Sequence, residues 1–584
     1  MSADKSHYAK RPSCSSEGKR MGTYLNPGKS SFEEAVHSSI FVDKTEMIRY
    51  LNSVVKTRHK YVCVSRPRRF GKTMAADMIC AYYGRGAESR ELFESLKLSG
   101  TESIETEHGT ICWDAYLGKF DVLRIVMTKF IKEKTAVENG LIKLQQVVVR
   151  ELKKSYPEID FFDETDLIQS IDEVYSTYDR KVVIVIDEWD VVFRTRQNDI
   201  DGQVQFLNFL RDLLKNHSHI ALAYMTGILP IKKHGQHSAL NMFDEYSMIQ
   251  PMQLAPYTGF TEEEVRELCS RYNMEYSDIS SWYDGYRMTD YIPVDKRAKF
   301  RLGEYTDHKI SIYSPLSVVS AMRNGIVDNY WNKTESYEAL ADFIRMDFDG
   351  LKETVALLMS GARIKVNLKG YQNDMTSFRG RDDILALLIH LGYLGFEGNE
   401  NQGRIDSEQG EVFIPNREIL EEFRTSTESG EWFNTFALLH ASEELLKATW
   451  NENEKKVAEL LERVHDRAED KTYNSEAALS YSIQLGYLAA EKYYTKIPEL
   501  DSGKGFADVV YIPAPRYSHL KVLLIELKYN QDADTAIQQI KRNEYPERLS
   551  HYKGNILMVG INYDKDTISK DQKFKHHTCV IERA

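Results

Sequence analysis

Short apolar runs rich in β-branched residues punctuate the N-terminal part of the chain, and helical spacing fills most of the gaps between them. Residues 61–64 (YVCV), 120–128 (FDVLRIVMT), 181–190 (KVVIVIDEWD) and 219–228 (HIALAYMTGI) read as strands. The third run holds five consecutive apolar β-formers, which suits a strand buried on both faces of a parallel sheet. Residues 74–83 (MAADMICAYY) keep apolar side chains over successive helical turns, and residues 129–180 space Leu, Ile and Val among Lys and Glu as helices do. Residues 41–45 (FVDKT) predict a short extended piece, with Thr45 capping the helix that follows. Strands alternating with helices imply an α/β sheet built from βαβ units.

The pattern changes further on. Residues 336–450 read as helical and carry no catalytic pattern. Within them, residues 385–396 predict a helix leading into a strand, and residues 411–417 a second strand followed by a helix. Helices with a small hairpin suit a helical, winged-helix-like connector. Residues 443–468 form one amphipathic helical stretch. Residues 506–512 and 520–529 then read as strands joined by a Pro-containing turn, followed by a helix over 535–542 and a strand over 554–563.

Composition adds bounds. At 584 residues the chain is long enough for two to four domains. No stretch approaches ~18 uninterrupted apolar residues, so no membrane span is expected. The first twenty residues are polar and read as a flexible lead-in over 1–30 rather than a secretory signal. The six cysteines (Cys14, Cys63, Cys80, Cys112, Cys269, Cys579) form no C-x-x-C pair, which points to a reducing cytoplasm. The net charge of −12 means that nucleic-acid contact requires a local basic patch, with Lys504, Lys541, Arg542 and Arg548 as candidates.

Candidate chemistry begins at residues 65–73, SRPRRFGKT, between the first strand and a helix. Gly71, Lys72 and Thr73 fit a phosphate loop, whose backbone N–H groups surround phosphate oxygens at a helix N-terminus. Lys72 would reach the β- and γ-phosphates, and Thr73 would hold Mg²⁺. Arg66 stands where the first glycine of such loops is expected, and Arg68 and Arg69 add charge. The plain alternative is a basic turn that begins an ordinary helix. Asp187 and Glu188 end the third strand, where side chains face the ligand crevice of an open α/β sheet. Asp187 would hold the Mg²⁺ water shell and Glu188 would polarise an attacking water; an acidic surface turn is the alternative. Thr226 ends the fourth strand, either sensing the γ-phosphate or satisfying backbone. Arg287, in residues 281–287 (SWYDGYR), is either a lid cation or part of a helix-end turn whose aromatics pack inward. Arg194, Arg196 and Arg211 are unranked candidates for an arginine finger, and a finger supplied in trans would imply a homo-oligomer.

A second constellation lies near the C-terminal end. Folding residues 505–530 about residue 517 brings Asp508 opposite Glu526 within about one residue. Glu526 and Lys528 share a strand face. Two carboxylates and a lysine at one end of a hairpin suit metal-assisted phosphodiester hydrolysis. An exposed cross-strand charge pair is the alternative, but the apolar run VLLI before Glu526 argues for a buried strand ending at a site.

Several strings together resemble a known family. SRPRRFGKT, the upstream FVDKT, VIDEWD, YMTGIL, residues 257–265 (YTGFTEEEV), SWYDGYR, residues 312–317 (IYSPLS) and Tyr330-Trp331 occur in this order in the AAA-ATPase-like proteins. These are bacterial chains that usually add a PD-(D/E)XK nuclease-like domain, and their arginine-rich loop also lacks the first glycine. The end of the chain is similar to the PD-(D/E)XK superfamily core. There Asp508, Glu526 and Lys528 match the D…(D/E)-x-K motif, Glu476 matches a frequent upstream acid and metal ligand, and Gln539 and Tyr545 match a following Gln and Tyr. The resemblance implies a P-loop ATPase domain over 31–335, a connector over 336–450 and a restriction-endonuclease-like α/β domain over 451–584. It implies ATP and Mg²⁺ as cofactors, with Mg²⁺ or Mn²⁺ at the nuclease-like site, and DNA as partner. The leading expectation is an ATP-dependent or ATP-gated metal nuclease. The alternative is a nucleotide-switched module that holds nucleic acid or a protein without cutting.

Overall fold

The computed structural model describes residues 22–106, 109–231, 240–293, 305–331, 350–369, 371, 378–401, 404–427, 432–467, 483, 486–501, 506–514, 517–543, 549, 555–564 and 577–584. The chain divides into two compact units, residues 1–335 with 365–421, and residues 336–364 with 422–584. Both are α/β. Among the described residues, no helix is long and apolar enough to cross a membrane.

The first unit is built on a five-stranded parallel sheet in the order Asp121–Val126, Val182–Asp187, Ile220–Gly227, Tyr61–Ser65, Asp244–Tyr246. Tyr61–Ser65, Val182–Asp187 and Ile220–Gly227 are buried at every position, as their unbroken apolar runs require. Helices cover both faces: Lys72–Tyr83 packs over Val183 and Val185, and Val137–Ser155 and Ile200–Leu214 over Ile184 and Ile186. The order places Ile220–Gly227 between the strand that feeds the basic loop and the strand that ends in Asp187. The fifth strand, Asp244–Tyr246, is too short to announce itself by periodicity.

Several elements differ in detail from the sequence expectation. Residues 41–45 join no sheet, and Thr45 does not cap the next helix. Thr45 is buried, with its hydroxyl on Asp43 (2.6 Å) and accepting from the Leu98 N–H (3.1 Å). The helix Met47–Val54 starts behind Glu46 without a side-chain cap. Next to Thr45, Lys44 donates to the Pro256 carbonyl (2.6 Å) and pairs with Glu264 (2.5 Å), so this segment is a strap rather than a strand. The region 129–180 breaks into two helices, Val137–Ser155 and Leu167–Tyr178, and the Asp166 side chain caps the second at the Gln169 N–H. In SWYDGYR, Tyr283 and Tyr286 are fully buried where the helix Tyr276–Tyr283 passes into the strand Tyr286–Pro293. Arg287 stays on that strand, bonded to Ser311 and 3.5 Å from Asp284.

The second unit holds a mixed sheet in the order Tyr494–Asp501, Phe506–Pro513, Val522–Tyr529, Ile556–Tyr563, His577–Arg583. Only the pair Val522–Tyr529 and Ile556–Tyr563 is parallel, and the helix Ala533–Arg542 makes the crossover that a parallel pair needs. The edge strand Tyr494–Asp501 carries Pro498, which suits an edge and hides the strand from a pattern reading. The stretch 443–468 is two helices, Phe433–Trp450 and Glu454–Arg467. Between them Glu452 takes a left-handed backbone (φ 56°) and its carboxylate collects Lys521 (2.9 Å) and Arg583 (2.6 Å). Those partners lie far along the chain, so helical periodicity alone runs straight through the break.

Gly285 tests the turn in SWYDGYR. Its φ of 136° lies where side chains are strained, and an added Cβ would meet the Pro415 carbonyl oxygen at 1.8 Å. Gly285→Ala is therefore expected to cost more than about 2 kcal/mol in urea unfolding. A loss under about 0.5 kcal/mol would show that the turn relaxes freely.

Candidate functional site

The loop between Tyr61–Ser65 and Lys72–Tyr83 wraps inward. Gly71 (φ 84°) and Arg69 (φ 70°) both take left-handed backbone, which turns the chain sharply into the helix. Phe70 anchors the turn, with its ring edge-on to Tyr286 (5.3 Å) and its carbonyl accepting from the Gly259 N–H (3.1 Å). The Lys72 ammonium folds back onto the Arg66 (2.9 Å) and Pro67 (2.7 Å) carbonyls. Burial lowers its pKa to about 8. The ammonium thus lies inside the concavity of its own loop, where an anion would draw it off the carbonyls.

Thr73 and Asp187 meet across the sheet. The Thr73 hydroxyl donates to Asp187 Oδ2 at 3.0 Å. Asp187 is 2 % exposed, and its Oδ1 reaches no donor. Burial raises its pKa, opposed by the Thr73 bond and the charges of Lys72 and Arg124. An unpaired buried carboxylate oxygen beside a threonine hydroxyl is a donor set that fits a hard, oxygen-seeking cation. Glu188 follows with φ 55°, half in solvent, and its carboxylate is 3.4 Å from Arg194.

Arg68, Arg69, Gly71, Lys72, Thr73 and Glu188 line a cleft of about 840 Å³. Phe32, Ile40, Phe41, Val42, Phe260 and Leu316 give the same cleft an apolar lining. Arg66 does not face this cleft, contrary to its sequence reading as a phosphate ligand. It is fully buried, donating to the Ser65 (2.9 Å) and Tyr246 (2.8 Å) carbonyls, and burial lowers its pKa to about 10. A side chain at that loop position points under the loop rather than out of it. Thr226 is likewise buried and spends its hydroxyl on the Val64 carbonyl (3.0 Å), which is the backbone-satisfying role.

Asp190 was not anticipated. It is fully buried, and its Oδ2 accepts from Ile228 N, Leu229 N and Arg194 Nε, each at 3.0 Å. That triple bond pattern fixes the turn carrying Glu188 against the end of the neighbouring strand. The signal was in the sequence as a third acid in VIDEWD. Of the arginine candidates, Arg194 is engaged here, Arg196 holds Asp199 and the carbonyls of Glu133 and Thr135, and Arg211 pairs with Asp212.

The second unit has its own acidic centre. Strand pairs Val509 with Ile525, and continuing that register one step sets Asp508 across from Glu526, the count expected from folding about residue 517. Asp508 Oδ2 accepts from the Leu527 N–H at 2.7 Å. Glu526 is 2 % exposed; its Oε1 takes Lys528 Nζ (3.2 Å) and Gln539, while its Oε2 has no donor. Burial, then the Asp508 charge, raises its pKa to about 7. Here too the free oxygen of a buried acid, beside a second carboxylate, fits a divalent cation. Glu476, Tyr545, Lys504 and Arg548 lie outside the described residues. Lys541 pairs with Glu582 (2.5 Å).

One further trio, Asp172, His217 and His219, brings ligand atoms within 4.8 Å of one another at the opposite end of the parallel sheet. Lys60 and Lys181 place ammonium groups on the adjacent His217 and Ser218 carbonyls, a poor setting for a dication.

Comparison with known proteins agrees with the division of chemistry. Residues 27–236 match the family described as Predicted AAA-ATPase, and residues 474–573 match the PD-(D/E)XK nuclease superfamily. No curated protein matches the chain.

The raised Glu526 pKa sets a pH dependence. Between pH 4.5, the ordinary value, and about 7, the folded chain holds a proton that the unfolded chain has released. Metal-free stability should therefore fall as pH rises through that window, by at most about 3 kcal/mol for this group. Glu526→Gln removes the dependence. Urea unfolding of wild type and E526Q at about pH 4.5 and about pH 8 should show wild type losing ground to the variant. A difference that stays constant with pH contradicts the burial of this carboxyl.

Proposed function

We propose that this chain, which carries a predicted AAA-ATPase segment and a PD-(D/E)XK nuclease superfamily segment, binds and hydrolyses ATP in its first unit and cuts DNA with a divalent cation in its second. The observation that carries the reading occurs in both units. A strand carboxylate is buried, Asp187 at the end of Val182–Asp187 and Glu526 within Val522–Tyr529, and one oxygen of each is left without a protein donor, Oδ1 and Oε2 respectively. Burying such an oxygen unpaired costs free energy unless a ligand takes it up.

In the first unit, Lys72 would turn from its loop carbonyls to the phosphates, and the Gly71–Thr73 turn would present N–H groups to them. Thr73 and Asp187 would hold Mg²⁺, which when bound shields the phosphate charge. Glu188 would orient water. The apolar wall of Phe41, Val42 and Phe260 suits a nucleobase rather than free phosphate. In the second unit, Asp508 and Glu526 would hold Mg²⁺ or Mn²⁺, which when bound makes water nucleophilic at neutral pH. Lys528 would place positive charge beside the reacting phosphate, and Gln539 would fix Glu526.

Two sets of variants test this. Lys72→Ala should weaken ATP binding by about tenfold or more, and Glu188→Gln should keep ATP while hydrolysis falls about 100-fold. Equal ATP affinity in K72A and wild type removes the loop assignment. For the second unit, plasmid DNA is incubated with Mg²⁺ or Mn²⁺, with and without ATP. Asp508→Asn and Glu526→Gln should each cut metal affinity and cleavage together, by about 100-fold in rate. Lys528→Ala should lower cleavage with metal binding nearly intact. If wild type leaves the plasmid whole under every metal and nucleotide condition, the chain is a nucleotide-switched binder instead.

A further inference from the structure

We propose that Asp77 restrains Arg124, keeping that guanidinium off Asp187 so that the Asp187 carboxylate stays open to a divalent cation. The inference rests on the nucleotide-site reading and names two residues that reading does not use.

Asp77 lies four residues after Thr73 on the helix Lys72–Tyr83, so the two share a face. Arg124 comes from the strand beside the acid strand. Its register partner is Val185, two residues before Asp187, so Arg124 and Asp187 point to the same face of the sheet, under that helix. Asp77 and Arg124 are each 15 % exposed, and Arg124 Nη1 is bonded to Asp77 Oδ1. Arg124 Nη2 stops 3.9 Å from Asp187 Oδ2, beyond hydrogen-bond reach. That oxygen instead takes the Thr73 hydroxyl at 3.0 Å, and Asp187 Oδ1 is left unpaired.

The guanidinium therefore sits between two carboxylates and bonds to one. Arginine favours forked bonds to carboxylates, and a buried cation that loses its partner seeks the next acid. For Arg124 that acid is Asp187, a shift of roughly 1 Å away. Neutralising Asp77 alone would let Arg124 close that gap and occupy the carboxylate a cation needs. Removing Arg124 as well would remove the competitor. Arg124 acts through Asp187, so both residues are positioning residues.

The test uses the full chain and a fluorescent ATP analogue. Its affinity is titrated in EDTA and then over increasing Mg²⁺, and the readout is the Mg²⁺ concentration that gives half the affinity gain. Asp77→Asn should raise this concentration about tenfold or more, the scale of one charge-assisted hydrogen bond. Asp77→Asn with Arg124→Gln should return it to within about threefold of wild type, and Asp77→Glu should stay near wild type. Affinity in EDTA reports whether the loop is intact, and Asp77→Ser replaces Asp77→Asn if the latter does not fold. An unchanged Mg²⁺ requirement in D77N overturns the proposal. So does a double variant no better than D77N, because Arg124 would then not be the competitor. A wild-type chain that binds no analogue in either condition overturns the nucleotide-site reading itself, and this one with it.

Discussion

A buried strand acid with one oxygen left without a protein donor is the constraint around which each unit's site is arranged. Asp187 and Glu526 are each 2 % exposed. A carboxylate at that depth is tolerated only where donors and cations surround it. In the first unit the Thr73 hydroxyl and Lys72, from one helix, and Arg124, from the neighbouring strand, do this. In the second, Lys528 from the same strand and Gln539 from the crossover helix converge on a single oxygen. The compensation is incomplete in both cases, since Asp187 Oδ1 and Glu526 Oε2 reach no protein donor.

Topology decides where such acids end up. In the parallel sheet, Ile220–Gly227 separates the loop strand from the acid strand, yet Thr73 still reaches Asp187 because the helix after the loop crosses over the sheet. Asp190 ties the acid turn to the end of that middle strand through the Ile228 and Leu229 N–H groups. The site is thus assembled from backbone anchors as much as from reactive groups. In the mixed sheet the parallel pair Val522–Tyr529 and Ile556–Tyr563 brings the crossover helix Ala533–Arg542 over Glu526, which is how Gln539 reaches it.

The cations of the first unit divide by the same logic. Arg68 and Arg69 line the cleft, Lys44 lines it while held by the Pro256 carbonyl and Glu264, and Arg66 is absorbed into the frame. Arg66 braces the loop from below through two carbonyls. Lys44, whose pKa burial lowers, joins the strap 41–45 to the Thr261–Glu264 capping box. Four basic side chains in closely related motifs therefore do different work, and burial is what sorts them.

Local pattern by itself determined four of the five strands of the parallel sheet, since a long apolar run has few other uses than a strand buried on both faces. It also determined the register of Asp508 against Glu526, because a hairpin's register follows from counting residues about its turn. The loop type at Gly71–Thr73 was legible because its residues serve the backbone geometry directly. Tertiary structure alone decided that Arg66 turns inward, since the direction of one side chain depends on the carbonyls of Ser65 and Tyr246, the latter on a neighbouring strand 180 residues further along the chain. It decided the break at Glu452, which depends on Lys521 and Arg583, and the burial of Thr45, which depends on Leu98. It also brought Asp77 and Arg124 beside Asp187. Periodicity reports on neighbours within a few residues, whereas these contacts join segments tens of residues apart through the order of strands in a sheet.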